Sequence, residues 1–76
     1  ERYVDRMIRY HASIFKGLIA AGEITNEDPE TLAMMYVAPV ITLLGVCDRQ
    51  PEREKACMQQ LDGHVRLFYR TFNKNN

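Results

Sequence analysis

Residues 32–47 read LAMMYVAPVITLLGVC, and Thr42 is the one clearly polar side chain among them. Signals of a soluble helix flank the stretch, because Asp28 can act as N-cap, Pro29 suits the first helical position, and residues 48–51 form a tight connection. A helix that is apolar on all sides must be buried in a core. The rest of this 76-residue chain is short, so we expect part of the cover to come from a second molecule.

The segments on either side of this stretch are also predicted to be helical. Apolar residues recur at three- and four-residue steps through the first segment, and Gly22 suits the left-handed residue that ends a helix. Pro51 opens a third segment, which a short polar tail follows; we expect the tail to fray. The prediction is an all-α fold with three helices at about residues 1–21, 29–47 and 51–72, in which Pro39 bends the middle helix without breaking it.

A chain of 76 residues forms a single domain with a small core, and such domains are usually supported by disulfides, a metal or oligomerisation. The two cysteines, Cys47 and Cys57, lie in or beside apolar helical segments, and no secretion signal precedes them, which favours a reduced, cytoplasmic protein. Together with His11 and His64 they form no closely spaced ligand pair, so we expect no metal and no cofactor. Oligomerisation remains.

The net charge is zero, with ten basic and ten acidic residues scattered along the chain. There is therefore no electrostatic footprint for nucleic acid or for an anionic membrane surface. The apolar stretch is also shorter than the about 20 residues that a bilayer requires. We expect no membrane partner and no direct DNA binding by these residues.

Steps of about 100° per residue place two apolar stripes on the middle helix. Between the stripes runs a strip of small residues where a second helix could cross closely, and the pattern leaves open which stripe meets a partner. We expect Leu32, Tyr36 and Leu43 to face the helices of the same chain. The predicted homodimer interface comprises Met34, Val37, Ile41 and Leu44 of the middle helix and Leu61, His64, Val65, Phe68 and Phe72 of the third.

The sequence contains no motif for catalysis. No nucleophile has a recognisable base partner, and there is no phosphate-binding loop, so we predict that the chain is not an enzyme and has no catalytic residues. One alternative is a small all-helical dimeric enzyme with a chorismate-mutase-like fold, which would need inward-facing cations to hold carboxylates. The pattern instead places outward the side chains of Arg6, Arg9, Arg66 and Arg70.

The helix end FKGLIAAGEI at residues 15–24, the segment DPETLA at residues 28–33, the apolar helix with its internal Pro39 and the closing segment 61–72 together resemble the C-terminal region of TetR-family transcriptional regulators. The resemblance covers essentially the whole chain. The family's N-terminal helix-turn-helix domain is not in this sequence, and the chain begins in a helical segment without an initiator methionine. We therefore interpret it as a piece of a longer protein, whose N-terminal domain would bind DNA.

This resemblance implies the dimerisation and effector-binding portion of a bacterial, cytoplasmic transcriptional repressor. Its last two helices would pair with those of a second subunit as a four-helix bundle. A small-molecule effector of the parent protein would enter a pocket that includes the first helix, where His11 and Phe15 are the candidate contacts. The alternative from another class is an independent helical protein–protein interaction module that binds a different protein through the same apolar stripe.

Overall fold

The computed structural model describes residues 2–74, in which α1 spans Arg2–Ala20, α2 spans Pro29–Arg49 and α3 spans Glu54–Phe72. A 3₁₀ turn at Pro51–Arg53 connects α2 to α3. The described residues form no strand beyond one isolated β-bridge, which joins the α1–α2 connection to the residue after α3. The predicted all-α fold with three helices is confirmed, and the pairing of the last two helices with a second subunit stays a prediction.

Gly22 ends α1 in the way that its sequence position predicts. Its φ of 76° lies in the left-handed region, which glycine adopts without the steric cost of a Cβ. Two backbone hydrogen bonds close the helix end, from the Gly22 amide to the Ile19 carbonyl at 3.0 Å and from the Glu23 amide to the Leu18 carbonyl at 2.9 Å. This pair of bonds is a Schellman motif, which turns the chain towards α2.

Asp28 starts α2 as an N-cap. Its Oδ2 accepts hydrogen bonds from the Thr31 amide at 3.0 Å and from the Thr31 hydroxyl at 2.8 Å. Pro29 occupies the first helical position, where the amide it lacks would have no intrahelical partner. The helix continues through Pro39 to Arg49, so this proline does not break it, as predicted.

The connection between α1 and α2 is tied to the end of α3. Ile24 is 3% exposed, and the flanking backbone bonds run from the Thr25 amide to the Phe72 carbonyl and from the Lys74 amide to the Glu23 carbonyl, both at 2.9 Å. The prediction that the polar tail frays is therefore wrong for Lys74, because its amide is held. Residues 75 and 76 lie outside the described part of the chain.

The core forms where α1 and α3 pack against two adjacent sides of α2. Phe15, Leu32 and Ala33 are at most 1% exposed, and the Phe15 ring lies 5.4 Å from the ring of Phe68, centroid to centroid. Ala33 is small enough to let α1 approach α2 at the level of Phe15. Full burial of each large apolar side chain stabilises the fold by about 1.5–3 kcal/mol.

The molecule is flat, with Cα extents of 41 × 30 × 13 Å. Two helices packed face to face measure about 13 Å between their outermost Cα atoms, given axes about 8–10 Å apart and a Cα radius of about 2.3 Å. The short dimension therefore holds two helix layers at most. Each helix keeps one long side that the other two helices do not cover.

Candidate functional site

α2 exposes a long side that carries no charge. Met34 and Met35 are 57% and 50% exposed, and Ala38 and Thr42, one and two turns further along, are exposed as well. Their three- and four-residue spacing places them on one side of the helix. Residues 31–45 contain no charged side chain, so this side of α2 is apolar or small along that length.

α3 has a matching uncharged side. Leu67 is 56% exposed, and a Cβ added to Gly63 would meet no atom within 4 Å. The His64 ring, next to Gly63, donates from Nε2 to the Tyr36 carbonyl oxygen at 2.9 Å, so this edge of α3 adjoins α2. The residues on it follow helical spacing and are all exposed: Ala56, Gln60, Gly63, Leu67 and Thr71.

We call these two uncharged sides together the outer face; it consists of Met34, Met35, Ala38 and Thr42 of α2 with Gly63 and Leu67 of α3. Depletion of charge together with enrichment in methionine is typical of the centre of protein–protein interfaces. The small residues would let the backbone of a second helix approach closely. On α2 the outer face combines Ala38 and Thr42 of the strip of small residues with Met34 and Met35, which lie on either side of that strip.

The accessible surface of the chain is larger than its mass predicts. The chain exposes 5606 Å², whereas a compact monomer of 8.8 kDa exposes about 4,800 Å². The difference is about 800 Å², which equals the area that each partner buries in a protein–protein interface of standard size. The chain therefore has surface to spare for one interface.

Several residues of the predicted homodimer interface lie inside the chain instead. Val37 and Phe68 are 1% and 5% exposed, and Phe72 is half-buried with its ring 5.0 Å from that of Phe68. The chain itself covers Val37 and Phe68, which contradicts their assignment to the interface, whereas the assignment of the half-buried Phe72 stays a prediction.

The other predicted interface residues divide into two groups. Met34 and Leu44 are 57% and 49% exposed, and Met34 belongs to the outer face. Leu61 and Val65 are half-buried and line a cavity between the helices, and their place in a dimer interface stays a prediction. The remaining two, Ile41 and His64, are also half-buried.

None of the residues that we expected to face their own chain is exposed. Leu32 is buried, and Tyr36 and Leu43 are half-buried, which agrees with that expectation.

An apolar cavity of about 180 Å³ opens over α2 between α1 and α3. Its volume is close to that of an engineered cavity of about 150 Å³ that accommodates benzene. It is smaller than the about 300 Å³ at which pockets for drug-sized ligands begin. A single small ring is therefore the largest ligand that this cavity holds without rearrangement. Its lining residues are Met7, His11, Tyr36, Val37, Val40, Leu61 and Val65.

Of the two predicted effector contacts, the structure places one at the cavity. His11 lines it and donates from Nδ1 to the Met7 carbonyl oxygen at 2.9 Å, and its Nε2 has no hydrogen-bond partner within residues 2–74. Phe15 is 1% exposed and belongs to the core, so it does not line this cavity, and its assignment to an effector pocket stays a prediction. Its apolar ring contributes to folding.

Tyr36 is the centre of an aromatic cluster beneath the cavity. Its ring lies 5.3 Å from His11, 5.6 Å from His64 and 5.2 Å from Phe68 between centroids. Tyr69 also contacts it at 6.3 Å. Burial raises the pKa of Tyr69, and the neighbouring Tyr36 phenol raises it further, so the Tyr69 hydroxyl stays protonated at neutral pH.

The two cysteines are free thiols at the α2–α3 turn, Cys47 half-buried and Cys57 buried. Desolvation raises the pKa of the Cys47 thiol, and so does its hydrogen bond to Cys57. A thiol with a raised pKa is a poor nucleophile and a poor metal ligand, because both roles require the thiolate. Within residues 2–74, no group of three or more His, Cys, Asp or Glu side chains is arranged to hold a metal ion.

α2 is long and apolar enough to cross a membrane by length and composition, with 21 residues and a mean hydropathy of 1.7 over its most apolar window. The sequence predicted no membrane span because its apolar stretch is short. The helix is longer than that stretch, so length alone does not exclude a span. Core helices of soluble proteins, which are mostly buried, pass the same test, but the chain itself buries only 17% of this window. Leu32, Ala33 and Val37 of this helix are buried by the chain itself.

No protein-family model matches the chain, and no curated protein or solved structure shows a significant similarity to it. The functional argument therefore depends on the outer face and the cavity themselves.

Proposed function

We propose that this chain is the dimerisation and effector-binding portion of a TetR-like transcriptional repressor, joining two subunits whose N-terminal domains bind DNA. The observation that carries the proposal is the outer face, which consists of exposed, uncharged sides of the two neighbouring helices α2 and α3. About 800 Å² of excess surface supports it, since a stable interface needs this area from each partner.

The absence of charge on the outer face favours a second copy of the same chain as its partner. In a two-fold dimer each surface patch meets the same patch of the other subunit, and an uncharged patch can do so without bringing like charges together. α2 and α3 are consecutive helices joined by a three-residue turn. Two such pairs packed through their outer faces form a four-helix bundle with short loops.

A repression assay tests this proposal directly. The chain is fused to a DNA-binding domain that represses a reporter gene only as a dimer, and repression is measured in cells. We expect the fusion to restore repression, whereas the same fusion carrying Ala38→Glu does not. Equal repression by both fusions would contradict the outer face as interface, and no repression by either would contradict dimerisation.

The effector part of the proposal depends on the cavity. Its lining is almost entirely apolar, and its volume is about 180 Å³, so we expect an effector that places a single small ring against Val40 and Val65. Polar selectivity would come from His11, whose tautomer is fixed by the hydrogen bond from Nδ1 to the Met7 carbonyl oxygen. In that tautomer Nε2 is an acceptor, so an N–H or O–H group on the ring suits it.

Pyrrole is a suitable probe of the cavity, because it is a single small ring with one N–H donor. We expect it to shift the NMR signals of the Met7 and Val65 methyl groups in the native chain. Val40→Phe fills the cavity and should abolish these shifts, while Leu67→Phe on the outer face should not. Unchanged methyl signals in the native chain, or shifts that persist in Val40→Phe, would refute this ligand site.

The enzyme alternative is disfavoured by the positions of the cations. A carboxylate-binding active site needs arginines that point into it. The four candidates are all exposed: Arg6, Arg9, Arg66 and Arg70. The Arg66 side chain is paired with Asp62 at 2.7 Å on the surface of α3.

A further inference from the structure

α1 carries a second apolar surface, separate from the outer face. Tyr3 and Tyr10 are 62% and 64% exposed, and Ile14 is 40% exposed. With the half-buried Met7 between them, these residues alternate steps of four and three. This is the spacing at which one helix packs along another. We call Tyr3, Met7, Tyr10 and Ile14 the α1 seam.

The most exposed side chain of the α1 seam, that of Tyr10, has one aromatic neighbour within the chain. The Tyr10 ring meets the His11 ring edge to face, with centroids 5.3 Å apart. His11 is itself fixed by its hydrogen bond to the Met7 carbonyl oxygen and by the Tyr36 ring 5.3 Å away. An aromatic ring that is ordered before binding loses little conformational entropy on binding, and tyrosines are enriched at the energetic centres of interfaces.

One basic side chain, that of Arg6, flanks the α1 seam. Arg6 is three residues from Tyr3 and four from Tyr10, so it neighbours both on the helix surface. Within residues 2–74, Arg6 is exposed and forms no ion pair. α1 contains four basic residues and one acidic residue. Two copies of α1 packed along this seam would bring like charges together, which disfavours a second copy as the occupant.

We propose that the α1 seam binds an amphipathic helix of another protein, with apolar residues at heptad spacing and acidic residues along one flank. The spacing of the seam specifies a helix, and the charge of its flank specifies the acidic residues. The proposal is independent of dimerisation, since the outer face lies on α2 and α3. Loss of the dimer would leave the α1 seam intact, and loss of helix binding would leave the dimer intact.

A pair of designed helical peptides tests this inference. Both carry leucine at heptad positions a and d; the acidic peptide has glutamate at the flanking positions and the basic peptide has lysine. Binding of each labelled peptide to the full chain is measured by fluorescence anisotropy. We expect the acidic peptide to bind at least tenfold more tightly than the basic one.

Variants of the chain distinguish the seam from other surfaces. Arg6→Glu should weaken binding of the acidic peptide at least tenfold, and Tyr10→Ala should weaken binding of both peptides. Lys55→Glu makes the same charge change at an exposed position on α3 and should leave binding unchanged. All three side chains are exposed, so we expect each variant to fold. Circular dichroism checks this.

Three outcomes would overturn the proposal. The first is equal affinity for the acidic and basic peptides or no binding of either. The second is equal loss of binding in Arg6→Glu and Lys55→Glu. The third is binding of the chain to phosphatidylserine vesicles that Tyr10→Ala abolishes while peptide binding is unaffected, since the seam would then be a membrane-binding surface.

Discussion

Replacing Ala38 by glutamate tests which side of α2 meets a second subunit. Ala38 is exposed in the single chain, so the new carboxylate stays hydrated in the monomer. The change then costs the fold only a few tenths of a kcal/mol in helix propensity. In a two-fold dimer, both copies of the carboxylate would be buried in the outer face.

The size of the effect follows from that burial. Leaving a buried polar group without a partner costs about 1–3 kcal/mol, and a charged group costs more. Because the dimer contains the substitution twice, dimerisation should weaken by at least about 2–6 kcal/mol. Each 1.4 kcal/mol corresponds to a factor of about ten in affinity, so the dissociation constant should rise at least about thirtyfold.

Sedimentation velocity over a range of protein concentrations measures this change. Ser13→Glu is the matched control, because it adds one negative charge at an exposed position of α1. Ile41→Asp should also dissociate the dimer, but Ile41 is half-buried, so this variant also weakens the fold. Equal dissociation constants for Ala38→Glu and Ser13→Glu would refute the assignment of the interface to the outer face.

The remaining predictions concern the fold and are measured by denaturation. Phe15→Ala should lower the free energy of unfolding by about 3–5 kcal/mol, because it empties the core; a loss below 1 kcal/mol in urea titration would contradict this. Gly17→Ala should raise the free energy of unfolding by about 0.5–1 kcal/mol, since an added Cβ meets no atom within 4 Å. Gly22→Ala should lower it, because the φ of Gly22 is 76°. A change of the same sign in the free energy of unfolding of both variants would contradict this prediction. The raised pKa of Tyr69 means that the folded state keeps its proton above the ordinary value of 10.0, so stability should fall as pH rises through that value. Tyr69→Phe should flatten this alkaline slope, and an unchanged slope would contradict it.

Local signals in the sequence were enough to predict the helices. Asp28 and Pro29 marked the start of α2, and Gly22 marked the end of α1, because each residue type solves a specific problem of unpaired backbone groups at a helix end. The 3₁₀ turn at Pro51–Arg53 was missed, since Pro51 suits the first position of either kind of helix. Its effect is to delay the start of α3 to Glu54.

Side-chain assignments on α2 could not be predicted to the same degree. A helix that is apolar all round gives its periodicity no clear phase, so the sequence does not show where neighbouring helices pack. The structure buries Leu32 and Ala33 in one cluster with Phe15 of α1 and Phe68 of α3, and it buries Val37 as well. The exposed side is what remains, and it is the strip that contains Ala38.

The candidate sites show the same limit. His11 could be predicted at the cavity because it combines a polar ring with an apolar stripe, but Phe15 follows it by one turn and lies in the core. The side chains of His11 and Phe15 differ in how far they are buried, which depends on how closely α1 packs against α2. The uncharged side of α3 around Gly63 and Leu67 could have been found from the sequence, by searching for the longest helical stripe without a charge.

Sedimentation equilibrium of the unmodified chain at micromolar concentration is the most direct test of the central claim. The outer face and the excess surface predict a folded dimer with twice the 8.8 kDa mass of the chain. A monomer of 8.8 kDa that is fully helical by circular dichroism and unfolds cooperatively would contradict the claim that the chain joins two subunits.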